Sequence, residues 1–519
     1  MKQLTGLDAA FLMLERHNST GHVGGVCVLD PSDAPAPVDL ASVTALIEQR
    51  LHLIPIMRQR LAWVPLGLDQ PYWIDDPDFD IEYHVREISL PSPGSDAQLA
   101  EQVSRLHARP LDRDRPLWEA YLVSGLSGGR LALYTKMHHA AIDGVSGAEL
   151  MTLLLDLTPE GRQVAPAPVY QPRPAPSAAQ LLARASASLL ASPVHAARIA
   201  KDLVRSLPLV GGYVSPYVGA MLRRGTPDGE VIASAPGLAP RTPFNKAITP
   251  HRRWAFRSVG LEDAKTVKNQ FGVSVNDVVM AMCAAAVRRW LIEHDALPDS
   301  PLVAMVPVSV RDEQSKSSLG NKVAAMLAAL PTHLADPLAR LRSVHEAMRV
   351  AKAQQAAIPT GLVENVTDFA PPALTARAAR VAFAMGLPHR VPPFNLVISN
   401  VPGPNVQAYL AGAKVIANYP VSVVVDGQGF NITVMGYRGE LHFGLIACRE
   451  LVPDVDAIAG YLVEELAELL RLSHEAAAGA PATDKAARAP RATGTTRTPT
   501  TARTTRTTRT TRTTRATSG

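Results

Sequence analysis

The chain has 519 residues, 47% of them hydrophobic and 19% charged, which is enough for two or three domains and a sizeable core and too apolar for general disorder. Its three cysteines, Cys27, Cys283 and Cys448, form no C-x-x-C pair; this argues against a disulfide framework and predicts a reducing compartment. The net charge is +5, but residues 476–519 carry Lys485 and eight arginines against Asp484, a net of +8, so the rest of the chain is at −3 and the basicity is no property of a folded nucleic-acid-binding surface.

The N-terminus, MKQLTGLDAAFLMLERHNSTGHVGG, has no charged start, apolar run and cleavage site in that order, so no secretion signal is expected. Residues 1–164 then mix strand and helix patterns. EAYLVSGLSGGRLALYTKMHH reads as two strands around a glycine-rich turn, and SGAELMTLLLDL as a helix, with Ser146 and Glu149 at capping-box spacing. The proline-rich run from Ala165 to Ser177 closes this unit.

Residues 165–249 read as a crossover. Within it, PVHAARIAKDLVRSL puts Arg198, Lys201 and Arg205 on one helical face and Ala196, Ile199, Leu203 and Leu207 opposite. Such a basic amphipathic helix suits an anionic membrane surface or the protein's own body. The most nearly membrane-spanning stretch, Leu209 to Leu222, is short and broken by Pro216, so no membrane crossing is expected. Residues 250–475 form a second α/β unit. SVNDVVMAMCAAAVRRWL is a capped, buried helix, LVAMVPVSVR and FNLVISNVPGP are strands, and FNITVMGYRGELHFGLIAC is a hairpin turning at Arg438 to Glu440. Residues 476–519, with arginine at every third position from Arg503 to Arg515, have no apolar face and are expected to be disordered, with no specific nucleic-acid partner.

The chemistry concentrates in KMHHAAIDGVSG, Lys136 to Gly147. MHH continues the strand RLALYTK, so alternation sends His138 and His139 to opposite faces, which disfavours a shared metal ion. Gly125 to Gly129 matches G-x-S-x-G, but a nucleophile elbow has a strand before it and a helix after it, whereas here a strand follows. Ser127 is therefore read as part of a hairpin turn. The remaining chemistry is general-base catalysis by one neutral imidazole on an acceptor hydroxyl, with Asp143 either orienting the histidine or fixing the corner.

HHAAIDG resembles the HHxxxDG motif of the bacterial wax ester synthase/acyl-CoA:diacylglycerol acyltransferases. LTGLDAAFLMLE, Pro116-Leu117-Trp118, Asn276-Asp277 and Ser399 to Pro404 are similar to further signatures of that family, in the same order. The resemblance implies an α/β fold of two chloramphenicol-acetyltransferase-like subdomains with a tunnel between them. It makes His139 the proton acceptor, with His138 and Asp143 as motif support. Asp143 would be structural, paired with Arg311, and Gly144, Trp118, Asn276, Arg311 and Asn400 would shape the site. The implied reaction moves a long-chain acyl group from acyl-CoA to diacylglycerol, with no metal or bound cofactor. A fatty alcohol acceptor, giving wax esters, is the near alternative, and an inactive lipid-binding protein the distant one. Apolar substrates further imply a cytoplasmic enzyme held peripherally on the membrane or a lipid droplet. One departure is Gly21, where members often carry methionine; it is not expected to touch the chemistry.

Overall fold

The structure, a computed structural model, describes residues 1–142, 154–187, 239–309, 323–356 and 392–479. In chain order its strands are β1 (Lys2–Gln3), β2 (His22–Asp30), β3 (Gln59–Ala62), β4 (Tyr72–Asp75), β5 (Val85–Ser89), β6 (Trp118–Ser124), β7 (Leu131–His138), β8 (Arg252–Gly260), β9 (Leu302–Ser309), β10 (Val323–Leu330), β11 (Leu396–Val401), β12 (Tyr409–Leu410), β13 (Ala413–Val421), β14 (Phe430–Tyr437) and β15 (Glu440–Cys448). They form two six-stranded sheets, in the orders β12-β13-β2-β7-β6-β5 and β10-β9-β11-β14-β15-β8, and a small sheet β1-β4-β3.

The first sheet carries the histidine motif. β6 and β7 pair antiparallel across a turn in which Gly125, Gly128 and Gly129 all have positive φ, a conformation that glycine adopts without steric cost. β2 pairs with β7 so that Gly24 lies opposite Lys136; a Cβ on Gly24 would stand 2.1 Å from the Thr135 carbonyl oxygen, so no side chain fits there. β13, which the sequence places in the C-terminal unit, pairs antiparallel with β2 and completes the N-terminal sheet.

In the second sheet β14 and β15 form the expected hairpin, turning through Arg438 (φ 49°) and Gly439 (φ 79°). The helix Val275–Glu293 is buried against this sheet and starts in a capping box between Ser274 and Asp277. The two sheets meet directly. A Cβ on Gly444 of β15 would lie 1.8 Å from the Pro420 carbonyl oxygen of β13, and Val26, Val28 and Tyr134 share one apolar cluster with Trp254, Phe256 and Ile446. His107, closing the helix Asp96–His107, donates from Nε2 to the Ser422 carbonyl (2.8 Å) and accepts the Tyr134 hydroxyl at Nδ1 (2.8 Å), joining the two halves through a buried polar chain.

The proline-rich exit lies along the small sheet. There the Tyr170 hydroxyl donates to the Asp76 carbonyl (2.9 Å) and Arg173 pairs with Asp75 (2.8 Å). In the helix over residues 178–187, Leu181 and Ala185 pack on Val64, Tyr72 and Ile74. Among the described residues no single helix is long and apolar enough to cross a membrane. The Ser146–Glu149 helix start, the basic helix at Arg198 to Arg205, the stretch Leu209 to Leu222 and residues 480–519 lie outside the described residues.

Candidate active site

Strand β7 ends at His138, and His139 opens a short helix, His139–Ile142. The chain turns from strand to helix between them, so the strand alternation expected from the sequence pattern does not extend to His139. The corner is fixed from two sides. The His138 N–H donates to the Leu117 carbonyl and the His139 N–H to the Gly21 carbonyl, each at 2.9 Å.

His138 is a structural histidine, 1% exposed. Its Nδ1 accepts the Ala140 N–H at 3.1 Å, which places the proton of the neutral ring on Nε2. Nε2 faces Glu15 Oε1 at 3.7 Å. Burial pushes the His138 pKa down to about 4; Glu15 pulls upward, while Arg113 and His139 add to the downward push. At neutral pH the ring is uncharged and serves as acceptor for the first turn of the helix.

His139 is half-buried. Its ring stacks on Phe11, with centroids 4.1 Å apart and planes at 20°. Stacking holds the ring by its face and fixes its orientation, as a proton acceptor requires.

Behind the pair stands an ion pair that the sequence reading did not single out. Arg113 donates from Nε (3.0 Å) and Nη2 to Glu15 Oε2, and from Nη2 to the Leu12 carbonyl (2.8 Å). Glu15 Oε1 accepts the Gly21 N–H at 2.9 Å. Gly21 thus binds Glu15 through its N–H and His139 through its carbonyl, and a Cβ there would lie 2.8 Å from His138 Nε2. Gly21, which was not expected to touch the chemistry, thus lies directly against the histidine corner. Glu15 ends the stretch LTGLDAAFLMLE and Arg113 stands shortly before Pro116, but charged residues in separate segments carry no spacing that relates them to a histidine far along the chain.

The other expected site residues are distributed unevenly. Asp143, Gly144 and Arg311 lie outside the described residues. Trp118 is a core residue, with its indole N–H donating to the Met57 carbonyl (2.8 Å) and its ring stacked on His84 (4.5 Å). Asn276 and Asn400 come together, Asn400 Nδ2 donating to Asn276 Oδ1 at 3.2 Å, which ties β11 to the start of the helix Val275–Glu293. Asp277 caps that helix and accepts from His345 Nδ1 (2.8 Å). Burial works to raise its pKa, and the bonds from His345 and Ser274 outweigh it, leaving the carboxyl below its ordinary value. Among the described residues no three metal-binding side chains cluster.

Two packed α/β sheets with a histidine pair at a strand-to-helix corner are the architecture of chloramphenicol-acetyltransferase-like acyltransferases. A trichothecene 15-O-acetyltransferase of Fusarium sporotrichioides shares the fold at 13% identity, with a TM-score of 0.52 over 90% of this chain and 95% of that one. More specifically, the chain belongs to the wax ester synthase/diacylglycerol acyltransferase family and is an O-acyltransferase. The model of the family's catalytic domain matches residues 4–279, and that of its C-terminal domain residues 319–470. Two relatives in Mycobacterium tuberculosis, both named diacylglycerol O-acyltransferases, are 37% identical over 93% of each chain and 38% identical over 89% of this chain and 97% of the relative. The wax ester synthase/diacylglycerol acyltransferase of Marinobacter aquaeolei is 31% identical, with a TM-score of 0.65 over 91% of this chain and all of that one.

Proposed function

We propose that the enzyme moves a long-chain acyl group from acyl-CoA to the free hydroxyl of diacylglycerol, giving triacylglycerol and CoA, with His139 as general base and no acyl-enzyme. The observation that carries the mechanism is the corner itself: His139 is seated by the Gly21 carbonyl and the Phe11 ring, while His138 is held neutral beside it. His139 takes the hydroxyl proton as the oxygen attacks the thioester carbonyl. The tetrahedral oxyanion then collapses, the C–S bond breaks, and the imidazolium returns the proton to the departing thiolate. General-base help of this kind is worth ~10²–10⁴ in rate. His139→Ala, assayed by CoA release with diolein as acceptor, tests the mechanism; near-normal turnover would sink it.

The names of the mycobacterial relatives favour diacylglycerol over a fatty alcohol, since the motif handles the proton and not the acceptor's tail. Diolein and hexadecanol assayed side by side decide between them. Release of no CoA with any acceptor would instead favour an inactive lipid-binding protein.

Peripheral attachment to the membrane or a lipid droplet is part of the same proposal. The β3–β4 connection presents Trp63 at 42% and Leu66 at 82% exposure, apolar side chains that suit a lipid interface. Flotation with anionic liposomes, with and without Trp63→Ser and Leu66→Ser, tests it. Failure of the intact chain to float would contradict it.

A further inference from the structure

Helix Gly6–Leu14 carries Phe11, and Glu15 caps its end four residues on, so both side chains fall on the face turned to the histidine pair. Phe11 meets His139 and Glu15 meets His138. The chain then reverses through a turn in which Arg16 and Ser19 exchange backbone hydrogen bonds, and reaches Gly21. We infer that Glu15, neutralised by Arg113, is a positioning residue for acyl transfer: its carboxylate fixes the Gly21 backbone that seats His139 and faces the Nε2–H of His138. This rests on the reading of His139 as the base.

Neutralisation is as necessary as the carboxylate. A bare carboxylate 3.7 Å from His138 would favour the imidazolium. The imidazolium carries a proton on Nδ1, which would then meet the Ala140 N–H donor to donor and break the first turn of the helix that holds His139. Arg113, bound to the far oxygen of Glu15, opposes that protonation. The charged and titratable groups facing His138 are Glu15, Arg113 and His139, with His22 near enough to sense it. The Glu15 side chain is 8% exposed and that of Arg113 39%, so the carboxylate is shielded while solvent screens the guanidinium side of the pair.

The test uses the full chain with a long-chain acyl-CoA and diacylglycerol. The variants are Glu15→Gln, Glu15→Asp, Arg113→Met, the double variant Glu15→Gln/Arg113→Met, and His139→Ala, each checked for folding by circular dichroism. Glu15→Gln is expected to lower kcat about tenfold to a hundredfold, the scale of a sub-ångström to ångström misplacement, with KM for acyl-CoA unchanged. Glu15→Asp, which keeps the charge, should recover part of that loss. Arg113→Met should move the titration of His138, followed by NMR of its ring protons, up by about one pH unit, and the double variant should bring it back. If Glu15→Gln does not fold, the shift in Arg113→Met is still read on its own. Additive losses with an unmoved His138 titration would overturn the inference and leave a plain structural ion pair. Turnover by His139→Ala would instead overturn the general-base reading beneath it.

Discussion

The backbone N–H of His139 donates to the carbonyl of Gly21 at 2.9 Å, so a glycine on the approach to β2 forms the seat of the proposed base. In this chain's packing a Cβ there would lie 2.8 Å from His138 Nε2 and 3.3 Å from Cε1, so the buried ring would have to shift to admit a side chain. Gly21→Ala is therefore expected to cost about 1–3 kcal/mol, as overpacking does, and to lower Tm by several degrees. Because the displaced ring supports the helix carrying His139, kcat should fall more than KM rises. Thermal melts and steady-state kinetics on the same preparation check both effects.

Ser127 makes the opposite prediction. It sits in the β6–β7 turn, where its hydroxyl accepts from Arg130 Nη2 at 3.0 Å and its N–H donates to the Gly94 carbonyl at 2.8 Å. A serine that accepts from an exposed arginine has no base to activate it. Ser127→Ala should keep wild-type turnover and stability within about 0.5 kcal/mol, the range of ordinary surface changes, and a serine-directed phosphonate should not inhibit. Loss of transfer in Ser127→Ala would revive a covalent mechanism.

Stability should depend on histidines rather than carboxylates as the pH first falls. Burial is the leading cause holding His138 and His442 down to about 4 and His107 to about 3. In the unfolded chain each titrates near 6.5. Their neutral forms therefore contribute fully above about pH 6.5, and the contribution is lost as pH falls from there toward 4, by on the order of 1.4 kcal/mol per pH unit for each group. A Tm series should be level from pH 8 to 7 and decline between 6 and 4. A level Tm down to pH 4.5 would contradict this assignment.

Much of this arrangement was legible in the residues. The two α/β units, the glycine turn before β7, the capping box at Ser274 and the β14–β15 hairpin are written in local periodicity and turn chemistry, which act within a few residues. The expectation that strand alternation parts His138 from His139 fails at the strand-to-helix corner, which local alternation does not encode. What local pattern does not encode is which distant segments meet. β13 reads as part of the C-terminal unit yet completes the N-terminal sheet, because strand pairing is settled by tertiary packing. Likewise Glu15, Gly21 and Arg113 come from three segments, and only the fold makes them one device behind the histidines.

The most direct measurement of the central claim is CoA release from a long-chain acyl-CoA, with diolein as acceptor, by wild type and by His139→Ala of equal folded fraction. The account predicts diolein-dependent CoA release and triacylglycerol formation by the wild type, and a loss of at least about a hundredfold in His139→Ala. Triacylglycerol formation by His139→Ala at near the wild-type rate would contradict it.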